Sequence, residues 1–540
     1  MEGSSPRSSS AAVAESSAVQ STTPRSVLTG LALVVLASLI FFAQWHYGFN
    51  WSDEGLLWYG SQRTALGEVP LRDFFSYDPG RYYWTAAVFK VFRGDGLFEQ
   101  NMADDLFGLL GLLACYVAMS RLGINRAWRA AMLFLLAVML GFPRYKIYEQ
   151  VLSLFSAVGI AFLLSSRPNP RRWCIFGVLT GLAAFVGRNS GVYLAVAAIL
   201  ALMLLKSAGE KLHRGKLLAA LSAGVIAGYL PMLYMLGRVK GFAAAFFQSL
   251  SVVNPQIPLP IPFPWHRNAI GLHGLDLLQV TAVSLLCLIV PLMYGYLILR
   301  WWTAKANFDG AYRLACGASI AGLPYLHHAF SRADFFHIAE AILPFGLAAG
   351  AYAVHLWNLK KQRLALTVFL SSATLIVLAW LPREPAISYL RTVAKNPALV
   401  EQIEISGRNF EVPSFQAEIM RATRDAFQKC GCSNGNFLAA PHYPGMYAFL
   451  QTRAPFWEVY YLFRRNEDFQ ARHLDALVKN GTSLVLINPQ ATVDGLERLR
   501  IGGTYPKLLP YIRDHFQHLE TVPLPDGFEI YYLPGKCPNL

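Results

Sequence analysis

Charge is scarce in this chain. Only 15% of its 540 residues are charged against 54% that are apolar, and the 33 carboxylates are outnumbered by 47 lysines and arginines. No soluble domain of this length needs so much apolar surface, so the composition selects a polytopic α-helical membrane protein. The net charge of +14 does not point to nucleic acid. The basic residues gather in short loops between apolar runs, as the positive-inside rule expects. Walker, Rossmann, zinc and Ser-His-Asp signatures are all missing, which removes the nucleotide-binding and hydrolase classes those motifs mark. No internal repeat is visible, so the inverted-repeat architecture of many transporters has no support. There are seven cysteines. Cys115, Cys174, Cys287 and Cys316 fall in apolar runs and read as packing residues. Cys430, Cys432 and Cys537 lie in the polar C-terminal region, where Cys537 can pair with either of the other two.

About eleven apolar runs approach the length of a membrane helix: 27–49, 104–120, 128–142, 150–165, 173–187, 190–205, 217–236, 277–299, 312–326, 337–356 and 364–381. Residues 1–26, rich in Ser and Ala, are expected to be a disordered cytosolic tail. They lack a cleavage site ahead of a run that is itself long enough to span. The loops 121–129, 167–172, 206–216, 300–313 and 360–363 together carry sixteen basic residues, so that side is expected to be cytosolic. The 50–103 loop, the Pro-rich 250–275 loop and residues 382–540 then face outward, with the N-terminus inside, in a membrane of the bacterial inner-membrane type. The stretch from Tyr82 to Phe92 is too short to span and is expected to lie as a helix in the interface. Asn254 to Trp265, with a proline at nearly every second position, is expected to be extended. Residues 382–540 read as a mixed α/β domain, helical over Ser414 to Lys429, with strands at Thr482 to Asn488 and Phe528 to Leu533.

With so few charges, those at span ends stand out. Asp53 and Glu54 follow the first run directly, where ionised carboxylates are costly and usually have a task. On the same side come Asp73 and Asp78, Asp104 and Asp105, Arg144, Lys146 and Glu149, then Arg188, and finally the stretch from His327 to His337 with Arg332, followed by Glu340. Carboxylates and cations from separate spans suit a substrate with an anionic headgroup and a lipid tail, such as a polyprenyl-phosphate sugar. A carboxylate can serve as general base toward an acceptor hydroxyl, and arginine or lysine can hold the departing phosphate. Single displacement at an oxocarbenium-like carbon inverts the anomeric configuration. Plainer roles compete at each position. Asp53 can cap a helix, Asp78 before Pro79 can start a turn, Asp104-Asp105 can cap the second span, and Arg144, Lys146 and Glu149 can pair among themselves. No metal-ligand spacing is diagnostic, so no cofactor is assigned and a divalent metal stays open.

Asp53-Glu54, the Gly67-Glu-Val-Pro stretch and Tyr77-Asp-Pro-Gly ahead of the interfacial segment resemble the GT-C superfamily of membrane glycosyltransferases, in its protein mannosyltransferase and lipid A aminoarabinose transferase branch. The resemblance spans 27–381 in layout and is concentrated in 50–105. It implies a polyprenyl-phosphate sugar donor and a glycan, lipid or protein acceptor, handled within a 27–381 catalytic domain carrying a 382–540 extracytoplasmic domain. Asp53 would take the place of the catalytic base, with Glu54 beside it and Glu149 as the second acidic position. Arg188, Arg332, Arg144, Lys146 and His337 would face the donor phosphate, and Asp73, Asp78 and Arg81 would belong to the substrate loop. The family's Pro-Pro after the loop acid is Asp78-Pro79-Gly80 here, and an arginine expected near the second span is replaced around Asn101-Met102. The rival class is a multi-pass transporter or flippase of lipid-linked sugars, which would place charge near the midplane rather than at one face.

Overall fold

The computed structural model describes residues 24–164, 168–205, 213–253, 256, 261–266, 271–304, 308–520 and 524–540. The expected tail up to residue 23 and most of the Pro-rich stretch lie outside the described residues. Each apolar run corresponds to a helix or a bent pair of helices. In chain order these are α1 (Pro24–Gln44), then two helices of the 50–103 segment, α2 (Asp53–Ala65) and α3 (Pro79–Phe92), followed by α4 (Leu97–Arg121), α5 (Arg126–Leu140), α6 (Ile147–Leu163), α7 (Pro170–Val186), α8 (Arg188–Leu204), α9 (Arg214–Gly228), α10 (Leu230–Arg238), α11 (Phe242–Val253), α12 (Gly274–Thr303), α13 (Gly310–Ser331), α14 (Phe335–Ala341), α15 (Leu343–Asn358) and α16 (Gln362–Trp380). Four helical stretches, Leu97–Arg121, Arg144–Leu163, Gly274–Thr303 and Gln362–Arg383, are long and apolar enough to cross a membrane. The pairs α9–α10 and α14–α15, bent by 53° and 54°, raise the number to six. Pro231 and Pro344, each second in its helix, remove an amide donor at these bends. The remaining runs form shorter or less apolar helices, so the eleven expected spans are not all matched by helices of spanning length. The chain is an integral membrane protein with a mostly helical body.

The tightest helix crossing is written in glycine. Gly177 and Gly181 on α7 face Gly224 and Gly228 on α9, and a Cβ on any of the four would overlap backbone atoms of the opposite helix. Small residues four apart let two helices meet backbone to backbone, where van der Waals contact replaces the hydrophobic effect. Backbone cannot yield as a side chain can. Gly224→Leu is therefore expected to separate α7 from α9 and to remove the monodisperse folded species in detergent, read by size-exclusion profile and melting temperature. An unchanged melting temperature would show that the two helices do not meet backbone to backbone.

Beyond α16 come α17 (Pro385–Lys395), a hairpin of β1 (Val400–Ile405) and β2 (Arg408–Pro413), α18 (Ser414–Cys430), β3 (Phe437–Ala440), α19 (Pro444–Phe449), α20 (Glu467–Lys479), β4 (Leu484–Ile487), α21 (Ile501–Thr504), α22 (Leu508–His515), β5 (Gln517–His518) and β6 (Glu529–Tyr532). β3 and β4 are parallel, and β6 is antiparallel to both β4 and β5, giving the order β3-β4-β6-β5. The expected helix at Ser414 and both expected strands are present, and β4 is buried along its whole length. Cys430 pairs with Cys537, leaving Cys432 free.

The C-terminal region and the 50–103 segment share one core, in which Leu56, Trp58 and Tyr59 of α2 pack with Phe410, Met446 and Tyr447. Polar bonds fasten the seam. Gly445 N donates to Trp51 O at 2.9 Å, Gln416 Nε2 to Phe49 O at 2.9 Å, Trp457 Nε1 to Leu71 O at 2.8 Å and Ala454 N to Tyr59 Oη at 3.0 Å. Gly55 sits against Gly445, where a Cβ would lie 2.5 Å from the Gly445 nitrogen. The contact brings α19 onto the first turn of α2, which carries Asp53 and Glu54.

Candidate active site

Asp53 is the first residue of α2 and Glu54 the second, yet the two side chains have different surroundings. Asn50 Oδ1 accepts from the amides of Ser52 and Asp53, both at 3.0 Å, so the helix start is capped by Asn50 and not by Asp53. That arrangement leaves the Asp53 carboxylate free of a capping duty. Glu54 is only 2% exposed. Its Oε2 accepts from Asn50 N at 3.0 Å and its Oε1 from Arg144 Nε at 3.0 Å. The other Arg144 nitrogens donate to the carbonyls of Gln44, Tyr47 and Gly48 at 3.1–3.2 Å. Arg144 and Glu54 thus lock the end of α1 to the start of α2, and both are engaged.

Asp53 is half-buried, and among the described residues it forms no ion pair. One hydrogen bond reaches it, from Tyr460 Oη to Oδ1 at 3.3 Å. Burial pushes its pKa above the ordinary carboxylate value, opposed by the charges of Lys146, Arg332 and His337 and by the Tyr460 hydroxyl. Each of these three side chains is itself tethered. Lys146 pairs with Glu340, which His328 Nδ1 also approaches at 3.8 Å; Arg332 pairs with Asp494; and His337 Nδ1 lies 2.8 Å from Asp334 Oδ1. Asp334 also accepts from the His337 amide at 3.0 Å, capping α14.

A second cluster lies across Tyr77, whose hydroxyl feels the charges of Asp53, Lys146, Arg81 and Glu149 together. Asp78 binds Arg188 twice, through its Nε at 2.7 Å and its amide at 2.8 Å, joining the start of α3 to the start of α8. Arg81 NH2 binds Glu149 Oε1 at 2.7 Å and its Nε binds Val186 O at 3.1 Å, joining α3 to α6 and to the end of α7. Asp73 stands apart from both clusters. It pairs with Arg72 at 2.7 Å and accepts from Val69 N, closing a turn.

Ten of the eleven expected site residues therefore fall into these two neighbouring clusters, and Asp73 does not. The expected capping role of Asp104 and Asp105 is corrected, because α4 begins at Leu97 and holds both inside it. Asp104 is buried and accepts from Gln100 Nε2 at 3.1 Å. Tyr460 and Asp494 carry no sequence signal, since nothing near them in the chain marks them; they reach the site from the C-terminal domain. Among the described residues no group of three or more His, Cys, Asp or Glu side chains is placed to hold a metal ion.

Tyr460→Phe removes the one hydrogen bond that favours the charged form of Asp53, so its pKa is expected to rise further. Any activity that needs ionised Asp53 should then have its acid limb moved to higher pH, with the rate at the plateau reduced only modestly. A pH–rate profile of the variant checks this, and an unmoved limb would disconnect Tyr460 from the titrating group.

No family model matches the chain, and no curated protein matches it. Solved structures do. ArnT from Cupriavidus metallidurans in the apo state superposes with a TM-score of 0.50 at 12% identity, over 95% of this chain and 98% of that one. Archaeoglobus fulgidus oligosaccharyltransferase, in a complex with Zn and sulfate, gives 0.42 at 12% identity over 85% and 68%. The same enzyme tethered to an acceptor peptide containing the NVT sequon gives 0.43 at 11% identity over 95% and 74%. The similarity to ArnT runs through both the membrane body and the C-terminal domain. This chain has the fold of ArnT.

Proposed function

We propose that this protein transfers a sugar from a polyprenyl-phosphate donor to a glycan, lipid or protein acceptor at the outer face of the membrane, with Asp53 as general base. The observation that carries the reading is the isolation of Asp53. Among the acidic residues expected in the site, Glu54, Asp73, Asp78 and Glu149 each have an arginine bound, whereas Asp53 has Lys146, Arg332 and His337 nearby and none of them in contact. A carboxylate partly open to substrate, with its pKa raised by burial, suits proton abstraction from an acceptor hydroxyl. Lys146, Arg332 and His337 stand on the same side, where charge on the departing phosphate would be held.

In this mechanism Asp53 takes the hydroxyl proton as the acceptor oxygen attacks the anomeric carbon, and the bond to the donor phosphate oxygen breaks in the same step. One direct displacement inverts the anomeric centre. Arg144 and Glu54 hold the helix that aims Asp53. The pairs Asp78–Arg188 and Arg81–Glu149 set the position of α3 against the bundle, and the C-terminal domain closes the acceptor side through Tyr460. With the basic loops on the cytosolic side, as the positive-inside rule expects, the C-terminal domain would lie outside.

The test is turnover of radiolabelled polyprenyl-phosphate sugars by the purified protein in lipid. Transfer or donor hydrolysis with at least one member of a broad panel supports the reading. A panel that is neither bound nor turned over overturns it.

A further inference from the structure

A second cationic pocket lies beside the site and takes no part in sugar transfer as proposed. On α17, Ser388, Arg391, Thr392 and Lys395 recur at i, i+3, i+4 and i+7, which puts two hydroxyls and two cations on one stripe. The stripe lines a cavity of about 370 Å³, whose opposite side holds Arg383, Asp276 at the start of α12, and the rings of Phe142 and Phe336. Three cations thus meet one carboxylate. Arg391 NH2 pairs with Asp276 Oδ2 at 2.9 Å, and Arg383 Nε donates to the neutral Gln279 Oε1 at 3.2 Å. Among the described residues, neither Arg383 nor Lys395 has an ion-pair partner, so two positive charges are left for a ligand.

The surroundings say what kind of anion would fit. No residue of α17 is buried, and Leu390 on it is exposed, as are Leu277 and Leu278 on α12 and Leu381 at the end of α16. An amphipathic helix with leucines beside a cationic slot at the end of two apolar helices lies where headgroups meet acyl chains. Arginine and lysine bind phosphate oxygens through charge-assisted hydrogen bonds, and basic pockets between membrane helices select anionic headgroups. The pocket also shares Phe142, Phe336, Arg383, Ser388 and Thr392 with a neighbouring cavity of about 300 Å³ that reaches Arg144 and Glu54.

We infer that the groove between α12 and α17 binds the phosphate headgroup of an anionic membrane lipid, with the lipid's chains along the exposed leucines. This needs the chain to sit in a membrane but does not need it to transfer sugar, so the readout is binding and not turnover. The protein is reconstituted in phosphatidylcholine nanodiscs containing a minor share of phosphatidylglycerol, released into detergent, and its retained lipids are counted by native mass spectrometry. Wild type should retain phosphatidylglycerol over phosphatidylcholine. Arg383→Gln/Lys395→Gln should weaken that retention roughly tenfold or more, given two lost charge contacts, with only a small change in melting temperature, because no ion pair is lost and the Arg383–Gln279 hydrogen bond is the one internal contact removed. Arg391 is left intact, since it anchors Asp276. Inorganic phosphate at the same concentration as the lipid should displace none of it. Equal retention of the two lipids, or a double variant that binds as wild type does, would overturn the proposal. Displacement by inorganic phosphate would overturn its lipid part, reducing the groove to a plain anion site.

Discussion

Asp53→Asn is expected to lower sugar transfer by roughly 10²–10⁴-fold, the range that a positioned general base contributes, while leaving donor binding nearly unchanged. Asparagine keeps the size of the side chain and can still accept from Tyr460, but it cannot take the acceptor proton. The loss should appear in the chemical step, measured as single-turnover rate with donor saturating. The pH dependence has a definite sign. Burial raises the Asp53 pKa, so the base is ionised above that raised value, and transfer falls as pH drops through it. The acid limb should therefore lie above the ordinary carboxylate range and be absent from the residual activity of the variant. Full activity in Asp53→Asn would move the base elsewhere. Asp78 and Glu149 would be poor replacements, because Arg188 and Arg81 already hold them.

Arg144→Met is expected to destabilise the protein by about 3–5 kcal/mol, the cost of leaving a buried partner charge unpaired. Glu54 has 3% of its side chain exposed and Arg144 10%, so water cannot replace the lost contact. The three carbonyls bound by Arg144 would lose their donor as well, loosening the end of α1. Glu54→Gln/Arg144→Met removes both charges, and most of the loss should be recovered, since an apolar or neutral pair of similar volume is often tolerated in place of a buried ion pair. Thermal unfolding of the three proteins in one detergent measures this. Equal melting temperatures for Arg144→Met and wild type would show that the pair is not structural, and Glu54 would then return as a candidate for the chemistry.

The division between Asp53 and Glu54 marks the limit of what sequence makes legible. The pair itself stands out, because two carboxylates beside an apolar run are expensive wherever they fall. Which of them is free depends on Arg144, ninety residues away, and on Asn50 taking over the cap. The contact with Arg144 has no local signature. Helix positions follow from apolar runs, while the bends at Pro231 and Pro344 divide two of the runs. Asp104 and Asp105 look like caps in sequence, since they open the apolar run 104–120. The helix starts earlier because the polar turn from Leu97 packs against the 50–103 segment and α1, where Trp84 Nε1 donates to Ala103 O and Asn101 Nδ2 to Trp45 O. Tyr460 is beyond the reach of any local pattern, being 407 residues from the carboxylate it touches. The α7–α9 glycines show the same limit, because spacing can mark a small face but cannot name the helix that meets it.

The most direct measurement of the central claim is the anomeric configuration of the first product formed from a polyprenyl-phosphate sugar of known configuration, determined by NMR on the wild-type reaction. Direct attack assisted by one free carboxylate predicts clean inversion, with Asp53→Asn forming the same inverted product far more slowly. Retention of configuration would require a covalent sugar–enzyme intermediate and a second displacement, and would contradict the role of Asp53 as a general base for direct attack.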